Sequence, residues 1–233
     1  MTTGAALAVT LLVLAAMNVW VHVGPRGAHY VTGPLAAIGF LAVARSSGLS
    51  WVELGLGHAA LARGAWYAAV SAALVAVVYG LAVAVPATRG VFRDTRYQLG
   101  ARSAVRTAFV TIPLATVAFE EVAFRAVLWS LVAHDYGSVW ATSTSSALFG
   151  LWHVLPALDL SRTNNALRPG PGSGGRRVLL TVLGTVAFTT AAGVVFAELY
   201  RRSGSLLAPI GLHWATNGLG VLASARVWAI SRP

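Results

Sequence analysis

The chain of 233 residues is 57% hydrophobic and only 10% charged, where an ordinary soluble domain is roughly a quarter charged, so a water-soluble globular fold is excluded. All 17 basic residues are arginine, acidic residues number seven, and the formal net charge of +10 falls between apolar blocks rather than along one helix face. That placement points to the positive-inside rule, with anionic lipids and not nucleic acid as the charged partner. Cysteine is absent, which removes a disulfide framework, a thiol nucleophile and a Cys-ligated metal.

The apolar blocks are roughly 18 to 25 residues long, the length that crosses a bilayer core. They predict an all-α, polytopic transmembrane helix bundle of about seven spans (six to eight). In chain order the spans fall at 5–23, 31–46, 64–86, 107–133, 138–157, 178–200 and 206–226. The first lacks a basic leader and a cleavage site and reads as a retained span. The second opens on Gly33-Pro34 and closes early at Ser46-Ser47-Gly48, so it is short, tilted or re-entrant. Two connections are basic: 87–106, and 158–177, whose run from Pro169 to Gly175 has the composition of a flexible linker. With seven spans, one side holds twelve arginines and the other four, which puts the N-terminus outside and the C-terminus in the cytoplasm. Domain organisation follows: 1–106 as N-terminal transmembrane helices with a basic cytoplasmic connection, 107–226 as the core that carries the chemistry, and 227–233 as a tail.

Five of the seven acidic residues lie in connections or near span ends. Glu120 and Glu121 lie in the middle of the fourth span, where each ionised side chain costs several kcal/mol unless it is paired or hydrated. Glu121 and Arg125 are four apart and can form an ion pair, whereas Glu120 points about 100° away. His153, His213 and Asn217 are further polar residues inside apolar spans, and the last two share a helix face. Taken one at a time, each is also compatible with a hydrogen-bonded packing role. Together, a carboxylate, two imidazoles and a carboxamide around one water make a hydrolytic site. Glu acts as general base, His orients the water or donates a proton, and His with Asn stabilises an oxyanion. The same Glu120, His153 and His213 could instead hold a divalent metal such as zinc. Other intramembrane hydrolases are absent: no His-Glu-x-x-His occurs, no aspartate pair lies within spans, and the one Gly-Ser-Gly is in the polar linker.

Three segments resemble the motifs of the CAAX prenyl endopeptidase and bacteriocin-processing family, also called CPBP or Abi, of intramembrane proteases. Glu120-Glu121-Val122-Ala123-Phe124-Arg125 is similar to its Glu-Glu-x-x-x-Arg, Phe149 to His153 to its Phe-x-x-x-His, and His213 to Asn217 to its His-x-x-x-Asn. Leu54-Gly55-Leu56-Gly57 resembles a glycine-leucine segment that often precedes the family's core. The resemblance implies that Glu120 activates a water with help from His153, and that His213 and Asn217 hold the oxyanion or, on an older description, contribute metal ligation. It leaves Glu121, Arg125 and Phe149 in supporting positions.

The leading functional expectation is an intramembrane endopeptidase that acts on a membrane-associated peptide or protein. The alternatives are a non-catalytic scaffold or bacteriocin self-immunity protein of the same fold, and a small transporter with Glu120 as proton site. The transporter is disfavoured because no inverted repeat is evident. Abundant Ala, Val, Gly and Arg without Lys points to a high-GC bacterium and hence to its plasma membrane.

Overall fold

The computed structural model describes residues 1–25, 27–163 and 174–231. Among them the chain is helical, with no strand: α1 (Thr3–Val23), α2 (His29–Ser46), α3 (Leu61–Ala84), α4 (101–136), α5 (138–152), α6 (Val154–Thr163), α7 (Gly174–Ser203) and α8 (207–230). A helix satisfies its own backbone, which is what hydrocarbon demands of a spanning segment. Four stretches are long and apolar enough to cross a membrane: Thr3–Val23, His58–Ala84, Ala101–Leu160 and Gly175–Ser203. Ala101–Leu160 holds two of the expected spans, because Gly137 (φ 82°, ψ 169°) turns the chain between α4 and α5 without a loop. That conformation is open to glycine and strained for other residues. The second expected span is the shorter apolar helix Tyr30–Ser46. The seventh is α8, whose mean hydropathy is lowered by His213, Asn217 and Arg226.

Each of the seven expected segments thus coincides with a helix, but two boundaries need correction. The span placed at 138–157 ends at Trp152. His153 leaves helical geometry (φ −88°, ψ 6°), and a separate helix begins at Val154. The linker placed at 158–177 is helical at both flanks, in α6 up to Thr163 and in α7 from Gly174. The intervening 164–173, with Arg168 and most of the Pro-Gly run, lie outside the described residues, as do Arg26 and Arg232.

The bundle is inverted with respect to a soluble protein. Leu12, Trp66, Leu81 and Leu183 face outward, which suits lipid. The interior gathers Phe40, Phe119, Phe124, Leu128, Phe149 and Phe196 around buried Glu121 and Arg125. At one end the segment 49–57 docks on the core. Leu206 N donates to the Gly55 carbonyl (2.9 Å), and Tyr200 and Ser130 hydroxyls donate to the Glu53 carbonyl (2.7 and 2.8 Å). Gly55 has φ +67°, and a side chain there would strike the Tyr200 ring, so the glycine-leucine segment is a docking turn. At the other end lie the basic connection 86–100 and the C-terminal turn of α8, tied by a hydrogen bond from Trp228 Nε1 to the Asp94 carbonyl (3.0 Å).

Candidate active site

The site is built on the middle of α4. Glu120 and Glu121 close the short α-helical segment Ala118–Glu121, between two wider π-helical stretches, Pro113–Val117 and Val122–Trp129. π-helical turns are rare and are frequent at functional sites. Glu121 and Arg125 are both fully buried and paired, Nη1 donating to Oε1 at 3.1 Å. The guanidinium lies over the rings of Phe149 (4.1 Å), Phe196 (4.9 Å) and Phe124 (5.9 Å), so ring faces take part of the solvation that water would give. The expected Glu121–Arg125 pairing is therefore present, and Phe149 supports it from α5.

His213 reaches the same carboxylate from α8. Its Nδ1 lies 2.7 Å from Glu121 Oε1, and its ring stacks on Phe196 (5.1 Å, 18° between planes). Glu121 as a carboxylate can only accept, so Nδ1 carries the hydrogen. The other ring nitrogen, Nε2, is 3.8 Å from Glu120 Oε2. That is too long for a direct hydrogen bond. Glu120 is 6% exposed. Its Oε1 accepts from Trp152 Nε1 (3.1 Å), and its Oε2 is buried without a hydrogen-bond partner.

His153 and Asn217 stand on the wall of one cavity of about 950 Å³, with Thr116, Tyr79, Tyr97 and Phe188. His153 Nδ1 is 2.7 Å from the Phe149 carbonyl, which can only accept, so its Nε2 holds the free lone pair. Asn217 lies in the π-helical stretch Ala215–Leu219, one turn beyond His213. Trp214 fixes this stretch by donating from Nε1 to the Ala108 carbonyl (2.9 Å), and Tyr79 does so by donating to the Thr216 carbonyl (3.2 Å). The exposed rim carries Arg96 and Arg177. Burial works most strongly against the Arg96 charge, but the hydrogen bond to Asp94 and the surrounding negative groups, Asp94 and Asp159 among them, together outweigh it and hold the guanidinium above its usual range. Burial pushes the Tyr97 hydroxyl up, so the rim pairs a fixed cation with a neutral phenol. The four expected residues thus fall into two sets: Glu120 and His213 in the interior, and His153 and Asn217 on the cavity wall. The two sets are linked along the chain, because Trp152, which bonds Glu120, directly precedes His153.

Residues 102–219, just over half of the chain, match the family model for type II CAAX prenyl endopeptidases of the Rce1-like kind. The chain belongs to this Rce1-like family. No curated protein and no solved structure gave a significant match. Membership supports the CPBP resemblance and places the protein, at family level, among CAAX-type membrane proteases. All seven motif residues singled out in the sequence fall inside the matched segment.

A metal fits this Rce1-like site poorly. Among the described residues no three His, Asp or Glu side chains are gathered closely enough to hold a metal ion. Sequence reasoning passed over Trp152, Phe196 and Asn18. Asn18 was visible as a lone amide in an apolar helix, and Trp152 as the neighbour of a motif histidine. Phe196 is one phenylalanine among eight and carries no signal of its own.

Proposed function

We propose that the protein is an intramembrane endopeptidase of the CAAX type that hydrolyses a membrane-associated peptide or protein with a glutamate-activated water. The observation that carries this reading is the unpartnered Glu120 Oε2 facing His213 Nε2 at 3.8 Å, beside a cavity walled by His153 and Asn217. Glu120 Oε2 takes a proton from water as its oxygen attacks the scissile carbonyl. The Asn217 amide and a protonated His213 donate to the developing oxyanion. The proton then passes to the amine nitrogen as the C–N bond breaks, and the His153 lone pair orients the water. With His213 protonated, the buried set of Glu120, Glu121, Arg125 and His213 is neutral overall, which limits the cost of burial.

Purified protein in detergent, given a prenylated CAAX-type peptide, tests the reading. Glu120→Ala and His153→Ala should each lower kcat about 10²- to 10⁴-fold, Asn217→Ala about 10²- to 10³-fold, and chelators should leave the rate unchanged. Wild-type turnover in both Glu120→Ala and His153→Ala overturns it. The position of Glu120 and His213 off the cavity wall favours one second reading, a peptide-binding scaffold or immunity protein. In that case Glu120→Gln preserves the cellular phenotype. We place the protein in a bacterial plasma membrane, with anionic lipids against its arginines.

A further inference from the structure

Helix α1 lies outside the family-matched segment, yet one of its residues reaches the candidate site. Asn18 Nδ2 donates to the backbone carbonyl of Trp152 at 2.9 Å. That carbonyl has no helical donor of its own, because the residue four positions on is Pro156, which lacks an N–H. A carboxamide inside a span is costly unless it is paired, so Asn18 and the end of α5 satisfy each other. The Trp152 ring is buried and tilts against Phe119 (5.7 Å) and Phe124 (5.8 Å). Its indole N–H is thereby aimed at Glu120 Oε1, 3.1 Å away. Asn18, Trp152 and Glu120 form a chain of two hydrogen bonds across three helices.

We propose that Trp152, held from α1 by Asn18, is a positioning residue for Glu120: the indole N–H occupies Oε1 and so presents Oε2 as the oxygen that takes the proton from water. A carboxylate free to turn about its last torsion offers either oxygen in many orientations, and small errors of placement are costly to catalysis. The indole removes that freedom without contributing a charge of its own. The inference rests on the reading of Glu120 as the base.

Two replacements at position 152 test it in the full-length protein: Trp152→Phe, and site-specific incorporation of benzothienylalanine, which keeps the shape of the indole and lacks its N–H. The expected result for both is a kcat lower by about 10- to 100-fold, with KM within about twofold and a thermal midpoint within about 3 °C. Incorporation of 7-azatryptophan, which keeps the N–H, should restore kcat. Asn18→Leu should lower kcat by about threefold and add little on top of Trp152→Phe, since the two act through one chain. If Trp152→Phe fails to fold, the benzothienylalanine variant decides. An unchanged kcat in that variant, or a change confined to KM, overturns the clamp when Glu120→Ala is inactive. Activity in Glu120→Ala overturns the base assignment instead.

Discussion

Arg125 is the most demanding residue in the molecule: a guanidinium with no solvent exposure, bonded through Nη1 to Glu121, with Nε and Nη2 left without hydrogen-bond partners. Three aromatic faces hold it in place of water. Removing the cation alone strands the Glu121 charge. We therefore expect Arg125→Met to cost about 3–5 kcal/mol of stability, read as a lower thermal midpoint in detergent. Arg125→Lys should recover only part of it, because an ammonium cannot present a planar fork beneath the rings. The pair replacement Glu121→Leu with Arg125→Met should regain most of the stability, since matched apolar groups tolerate this interior. It should remain inactive, because His213 Nδ1 loses its acceptor. The Glu121–Arg125 bond could be read from sequence because four residues make one helical turn. The bonds from Trp152 to Glu120 and from His213 to Glu121 could not, since they span 32 and 92 positions and depend on how helices cross.

Among the elements, α5 and α7 show how glycine sets distances in this bundle. A side chain on Gly150 would run into the Thr190 hydroxyl and come within 3.0 Å of the Val186 carbonyl, and one on Gly193 would come within 3.0 Å of Ser146. Close approach through small residues is the usual way membrane helices pack. Gly184, on the same α7, lines the cavity and has open space around it. The three glycines should therefore separate in experiment. Gly150→Leu and Gly193→Leu should lower the thermal midpoint by several degrees, while Gly184→Leu should keep the midpoint and raise KM by narrowing the cavity. Equal stability loss in all three would contradict the assignment. Helices as elements were legible because each is an apolar block closed by Gly, Pro or Arg. Their ends were less so, and the break at His153 shows why. Apolar sequence continues through Val154 and Leu155, but the histidine leaves helical geometry at the head of a new helix carrying Pro156.

Across the whole molecule, the arginine-rich connection 86–100, the rim residue Arg177 and the end of α8 lie at one end of the bundle, and the 49–57 turn lies at the other. By the positive-inside rule, the twelve-to-four arginine asymmetry leads us to propose that the first end faces the cytoplasm. Because the chain has no cysteine, single substitutions can report this directly. Val91→Cys, exposed in the basic connection, should react with a membrane-impermeant maleimide only in inverted vesicles. Val52→Cys, exposed in the opposite turn, should react in intact cells, and the reverse pattern would invert the topology. The cavity adds one consequence. Its wall is drawn from the half of the bundle nearest the basic end, from Tyr79 and Tyr97 to Asn217 and Ser224. Under the proposed function, a substrate reaching His153 and Asn217 would therefore approach from the side that carries Arg96 and Arg177.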